Sequence, residues 1–363
     1  MSSRVRGRGA AGSRTIPGVE KRSAIALDAM GSDRGPAATV AGAARVTRHA
    51  SAPDLVLVGD AAALHAELDR HPHDPKRLRI VHASQVIGQD EKPQAALAEK
   101  KDASIVRAVE LVCAGEADVL VSAGNTGAVT LACARGFQRL PGISRAALGA
   151  VYPTERRRGE KDDPFSLILD AGLTLEATES DLVAFAVMGS AYASRISRNE
   201  RPRVALLSVG SEEGKGTPAV VAAHERLKKV AGIEFIGNVE GMDIPRGTAD
   251  VVVTGGFVGN IVLKMLEGVS DTVMRLARYA GEKSLQYRAG LALLAPAIQR
   301  VRQVTDWEQY GGAPILGFDR LCIKAHGRST ERAIGNALRV AQRASTTRLV
   351  ETMREGLDRA GLG

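Results

Sequence analysis

The residues in this chain that could do chemistry sit beside short glycine turns. Asp28 and Asp33 bracket the turn AMGS, and Ser122 and Asn125 stand in SAGNTG. Asp170 closes SLILD, Ser208 opens SVGSEEGKG, and Thr254 precedes Gly255 and Gly256 in VVVTGG. Gly–Asn and Ser–Gly pairs are turn formers in their own right. Several of them at the ends of apolar runs, facing one crevice, suit a polar ligand better. Two of the turns lead into helical patterns, GNTGAVTLACA and GGFVGNIVLKML, whose first N–H groups could be aimed at an anion. Lys100, Lys101, Lys215, Lys264 and Lys324 lie near these turns in sequence. Amides mixed with ammonium groups fit phosphate or a phosphate-bearing substrate. The spacing in VGSEEGKG is wrong for a P-loop, and no GxGxxG opens a helix, so a dinucleotide fingerprint is absent.

The elements that must position these residues are short apolar runs: AIALDAMG, LVLVGD, LRIVHA, DVLVSAGNTG, SLILDAG, VALLSVG and DVVVTGG. Alanine-rich helical patterns such as PAATVAGAARVTRHA and DLVAFAVMGSAYASRI lie between them. Strands alternating with amphipathic helices predict parallel β-α-β units, with the ligand outside the carboxyl ends of the strands. At 363 residues and 44% hydrophobic, the chain can bury the core of one large α/β domain or two lobes. A single domain over 24–350 is expected, ending in the last turns of a C-terminal helix at 351–363.

Composition excludes several classes. Aromatics are 3%, too few for base-stacking platforms, so nucleic acid is not an expected partner. Of the formal charge of +8, residues 1–23 carry +5, which predicts a disordered basic tail. Cys113, Cys133 and Cys322 are widely separated and show no CxxC spacing, so they predict core thiols rather than a disulfide framework or metal site. No run of eighteen apolar residues exists to span a membrane, and a cytoplasmic location is expected. Between 257 and 304 a long helical pattern is followed by AGLALLAPAI, which suits a dimer interface, a membrane surface or packing on its own domain.

IALDAMGSDRGP, SAGNTGA, GISRAALGAVYPT, VMGSAYA, SVGSEEGKG, FIGNVEGMDI, GGFVGNIVLKMLEG, YGGAPILG and IKAHGRS together resemble the phosphate acyltransferase family, collinearly from about residue 24 to about residue 345. The resemblance implies a Rossmann-like, mostly parallel α/β sheet of the isocitrate/isopropylmalate dehydrogenase and phosphate acetyltransferase type. A helical hairpin at about 262–305 would protrude from it. It implies a homodimer that moves a long acyl chain from acyl carrier protein to inorganic phosphate, and so makes acyl phosphate for glycerolipid synthesis. It also implies peripheral attachment to the membrane, with glycerol-3-phosphate acyltransferase as a plausible neighbour and no metal or redox cofactor.

Carried onto this chain, the resemblance places Asn125, Lys100, His326 and Asn260 in catalysis. It places Asp28, Gly31, Asp33, Lys101, Ser104, Ser122, Gly124, Thr126, Gly127, Asp170, Lys215, Thr254, Gly255, Lys264 and Lys324 in substrate binding. Gly210, Glu212, Gly216 and Gly327 match as well. Ser32 stands where the family has a second glycine, and Ala98 stands near a family arginine. The family's D-x-GAN turn reads Asp170-Ala171-Gly172-Leu173-Thr174, and its T-D-G-F reads Thr254-Gly255-Gly256-Phe257. The loss of an aspartate from a crevice-facing loop is the ground for a second reading, a silent or altered paralogue that binds without turnover. A transferase of short acyl-CoA is a third, and the apolar hairpin speaks against it.

Overall fold

The computed structural model of this chain describes residues 22–158, 163–305 and 307–363. The expected basic tail lies outside them except at its last two residues. The strands are β1 Ala24–Asp28, β2 Asp54–Gly59, β3 Leu78–His82, β4 Val119–Ser122, β5 Ala147–Arg158, β6 Asp163–Leu169, β7 Arg203–Leu207, β8 Glu234–Val239, β9 Val251–Val253, β10 Ala313–Leu316 and β11 Leu321–Lys324. The helices are α1 Pro36–Thr47, α2 Ala61–Leu68, α3 Pro93–Glu99, α4 Ser104–Cys113, α5 Thr126–Gly136, α6 Glu179–Ser197, α7 Pro218–Leu227, α8 Asp243–Arg246, α9 Gly256–Lys283, α10 Leu285–Thr305, α11 Glu331–Thr346 and α12 Leu349–Arg359.

All described strands join one sheet in the order β3-β2-β1-β4-β11-β10-β5-β6-β9-β7-β8. The inner strands β4, β9 and β11 are buried along their length and apolar except for Ser122 and Lys324 at the ends of β4 and β11, as strands covered on both faces must be. The edge strands β3 and β8 carry exposed positions. Helices cover both faces. In α11 the buried residues Ile334, Ala337, Leu338 and Ala341 recur at helical spacing and pack toward α1. Gly42 permits that approach, because a Cβ there would stand 2.8 Å from both Glu331 O and Ile334 Cβ. Cys133 and Cys322 are buried, as expected. Cys113 is not a core thiol: it is exposed, with Sγ 3.3 Å from Gly136 O.

The sheet is not parallel throughout. β10 pairs antiparallel with both β11 and β5, and β5 pairs antiparallel with β6. Three reversals separate β11 from β6, so β6, β9, β7 and β8 run opposite to β1–β4 and β11. The glycine turns therefore do not all gather at one sheet end. The Ser208–Gly216 loop follows β7 and lies apart from the turns after β4 and β11.

Around the reversal, two loops are knitted by one carboxylate. Asp170 is fully buried and accepts from the N–H groups of Leu148 (2.9 Å), Gly172 (3.0 Å), Leu173 (3.1 Å) and Thr174 (2.8 Å). Its backbone N–H donates to Thr254 O at 2.9 Å. Thr174 Oγ1 in turn accepts from Gly256 N at 2.9 Å, at the first residue of α9. Removing the carboxylate leaves buried amides without acceptors, each costing on the order of 1–3 kcal/mol. Asp170→Ala is expected to lower stability by about 3 kcal/mol or more in urea unfolding; a loss below about 1 kcal/mol would show that the loop holds itself.

Candidate active site

A crevice of about 360 Å³ opens where the two strand directions meet. One wall is apolar: Leu148, Ala150 and Val151 of β5 with Leu263 of α9. Thr126 at the start of α5 and Lys324, His326 and Arg328 at and after the end of β11 supply its polar lining. Asn260, Lys264 and Glu267 of α9 line it as well, with Tyr310 and with Ala313, the first residue of β10. Tyr310 is held edge-on against Phe165, with ring centroids 5.7 Å apart.

Next to Lys324 in the sheet lies a buried polar network. Asp28, at the end of β1, is buried and accepts from Ser104 Oγ at 2.7 Å and Ser122 Oγ at 2.6 Å. Ser122 Oγ also receives Gly124 N at 3.0 Å. Gly31 and Gly124 let the first and third turns touch, since a Cβ on Gly31 would meet Gly124 Cα at 2.7 Å. Ser32, the residue that replaces a family glycine, donates to Gly327 O at 3.0 Å, and Asp33 N donates to the same oxygen at 2.9 Å. The first turn is thus pinned to the His326 turn. Of the residues expected at the substrate, Asp28, Ser104 and Ser122 are buried in this network, and Asp33 is exposed beside it; none of the four lines the crevice.

Asn125 also departs from expectation. Its Oδ1 caps α5 by accepting Ala128 N at 3.1 Å, and its Nδ2 donates to Gln89 O at 2.7 Å. Both ends of the amide are committed, so Asn125 positions the helix rather than facing the crevice. What it leaves exposed is the first turn of α5, where the N–H groups of Thr126 and Gly127 have no acceptor within the helix. Lys100 is likewise engaged, 2.6 Å from Glu91 Oε1 and 2.8 Å from Val86 O. That contact holds the Glu91 carboxyl below its usual range. Gln89 completes the strap by donating to Gly31 O (2.7 Å) and Ala123 O (3.0 Å). Neither Asn125 nor Lys100 lines the crevice.

Lys324 and His326 carry its electrostatics. Lys324 is nearly fully buried and donates to Ala325 O. Burial pulls its ammonium down to about 8, although the charges of Asp28 and Asp33 oppose the shift. His326 is pushed below its usual value by burial first, then by Arg328, Lys324 and Lys264, which keeps the ring neutral near pH 7. Its Nδ1 accepts Arg328 N at 3.3 Å, so the ring proton of the neutral form sits on Nε2.

The remaining expected residues divide. Asn260 and Lys264 line the crevice, with Lys264 3.0 Å from Glu267. Lys101 is exposed and reaches only Leu97 O at 3.4 Å. Lys215 lies in the distant Ser208–Gly216 loop, where its carbonyl accepts Ser208 Oγ. Asp170 and Thr254 are consumed in the loop knit described above. Gly255 is the N-cap of α9 in extended conformation, and a Cβ there would face Ala177 at 3.6 Å. Position 255 is therefore not in the crevice wall, and an aspartate would serve it as a helix cap. Arg328, Tyr310, Gln89 and Glu91 were missed. Arg328 and Tyr310 stand inside the quoted IKAHGRS and YGGAPILG segments, which was the available signal, whereas Gln89 and Glu91 had none.

Comparisons with known proteins agree with this architecture. Residues 23–352 match the family model described as fatty acid synthesis protein. The chain is 41% identical over 340 residues to the phosphate acyltransferase of Brevibacillus brevis (strain 47), covering 93% of this chain and 98% of that one. It is 43% identical over 319 residues to that of Myxococcus xanthus (strain DK1622), covering 87% and 88%. In fold it is similar to a phosphotransacetylase from Streptococcus pyogenes, at TM-score 0.60 and 16% identity over 90% of this chain and 94% of that one. It is also similar to the EutD phosphotransacetylase of Staphylococcus aureus, at TM-score 0.58 and 15% identity over 89% and 94%. Identity at that level speaks for the fold alone. With a family model spanning most of its length and relatives above 40% identity, this chain belongs to the phosphate acyltransferase family and is an acyltransferase.

Proposed function

We propose that this enzyme transfers a fatty acyl group from acyl carrier protein to inorganic phosphate, releasing acyl phosphate for phospholipid synthesis. The observation that carries the reading is the mixed lining of the crevice, where Lys324, Lys264, Arg328 and the start of α5 at Thr126 meet the aliphatic Leu148, Ala150, Val151 and Leu263. Phosphate sits against the Thr126 and Gly127 amides and the Lys324 ammonium, and the acyl thioester lies along Leu148, Ala150, Val151 and Leu263.

The chemistry asks mainly for positioning. A phosphate oxygen attacks the thioester carbonyl, the Asn260 amide and the His326 Nε2–H stabilise the oxyanion, and the C–S bond breaks. The proton lost by hydrogen phosphate ends on the departing thiolate, so the step needs no cofactor. The substitutions at Leu173, Thr174 and Gly255 fall in the loop knit and at a helix cap, outside the crevice wall. That placement favours the active enzyme over a silent paralogue.

The exposed apolar residues of α9, Ile261, Met265, Val269, Val273 and Leu276, recur every three or four positions. With Leu293 and Leu294 on α10 they support a hairpin that serves a homodimer contact and rests at a membrane surface. Among the described residues no helix is long and apolar enough to cross a membrane.

The assay is acyl-ACP with phosphate, the product trapped by hydroxylamine. Wild-type protein is expected to form phosphate-dependent hydroxamate, and its absence from folded protein would refute the transferase. Because the Lys324 pKa is lowered, its charge is present below about 8 and lost above it. The KM for phosphate should therefore rise as pH climbs past about 8. Lys324→Met should raise that KM on the order of tenfold at pH 7 and remove the alkaline limb. Gly255→Asp should leave turnover within about twofold; a large gain would put position 255 back in the chemistry. Leu293→Asp with Leu294→Asp should cut sedimentation with phospholipid vesicles while turnover in solution persists, and unchanged sedimentation would remove the hairpin from membrane contact.

A further inference from the structure

Away from the crevice, the Ser208–Gly216 loop folds back on α7 and brings together groups that the transfer reaction does not use. His224 of α7 is buried, 3% exposed, and stands edge-on to Phe235 at 5.0 Å. Its Nδ1 lies 2.9 Å from Asn238 Oδ1, and Asn238 Nδ2 donates to Glu212 O at 2.8 Å. The second bond settles the first. A carbonyl can only accept, so the amide nitrogen must face Glu212, the amide oxygen must face the ring, and Nδ1 must carry the ring proton. The neutral ring then presents the lone pair of Nε2. Glu213 Oε1 is 3.8 Å from Nε2, beyond hydrogen-bond reach.

That lone pair, a carboxylate oxygen of Glu213 and one of Glu225 all lie within 4.8 Å of one another. Three electron-pair donors converging in this way can hold a cation between them. The Lys228 ammonium meets the carboxylates, 3.1 Å from both oxygens of Glu213 and 3.5 Å from Glu225. It makes no hydrogen bond to the histidine.

We propose that His224, Glu213 and Glu225 form a binding site for a divalent cation of the zinc type, with Lys228 as the resident cation it displaces. One imidazole and two carboxylates are a donor set for zinc or cobalt. Tetrahedral donors at about 2.0–2.2 Å from the metal stand about 3.3–3.6 Å apart, so the two exposed glutamates must swing inward by about an ångström to close on the ion. A ring oriented by an outer hydrogen bond is the usual support of a metal-ligating histidine. Two carboxylates balance the ion's charge, and the bound ion pins the loop to α7. Nothing in the cysteine spacing pointed to it, because the donors come from two separate elements.

The test is titration of the full-length protein with Co²⁺, read by visible absorption and calorimetry. Wild type is expected to bind one Co²⁺ here, with Zn²⁺ displacing it. Glu213→Gln and Glu225→Gln, both exposed and so mild for folding, should each weaken binding about tenfold or more. Lys228→Gln should tighten it several-fold by removing the competing ammonium. Binding unchanged in all three variants would place the ion on other histidines such as His71 or His73 and overturn the site. So would the absence of uptake by both wild type and Lys228→Gln at millimolar Co²⁺.

Discussion

A carboxylate enclosed by strands cannot be left to water, and Asp28 is such a carboxylate. It is satisfied by hydroxyls on two other elements, Ser104 at the head of α4 and Ser122 at the end of β4. In register, Asp28, Ser122 and Lys324 are neighbours on three adjacent strands, β1, β4 and β11. The buried negative charge is thus one strand removed from the buried positive charge that faces the crevice. An isolated ammonium at that depth would tend to lose its proton outright. Cys322, Asp28 and Asp33 oppose that loss, and the group is left charged near neutral pH and yields just above. The turns that wall the crevice rest on the same anchor, through Gly124, Gly31 and the Ser32–Gly327 contact.

Much of the architecture was legible. Valine and isoleucine runs closing on glycine read as buried strands, and alanine-rich periodic segments read as covering helices. The reversal was not legible, because β10 and β6 carry the same apolar composition as the parallel strands, and direction is not written in composition. The Ser208–Gly216 loop, and Lys215 with it, follows β7, which β9 separates from β6, and it does not line the crevice that Ala171 and Gly172 after β6 and Asn260 after β9 help to form.

The site was legible as a set of segments and less so as a set of roles. Asn125, Asp170 and Lys100 are residue types that can serve a substrate or a backbone, and sequence alone does not say which. In the fold their polar atoms are already used: by the α5 cap, by four amides, and by Glu91. Gly255 gives the converse lesson. Its position is an N-cap, so the residue that stands there bears on how α9 begins, and Thr174 supplies an acceptor to the next residue's amide instead.

The helix that begins at that cap has 28 residues, or about 42 Å at 1.5 Å of rise each. Its second and third turns line the crevice, through Asn260, Leu263 and Lys264, and its far end at Lys283 is the tip of the hairpin, where α10 begins at Leu285. One continuous helix therefore acts as a spacer bar between the crevice and the hairpin tip. The working distance between the two is fixed by a residue count, and a deletion of a single turn would both shorten the bar and swing the tip around its axis.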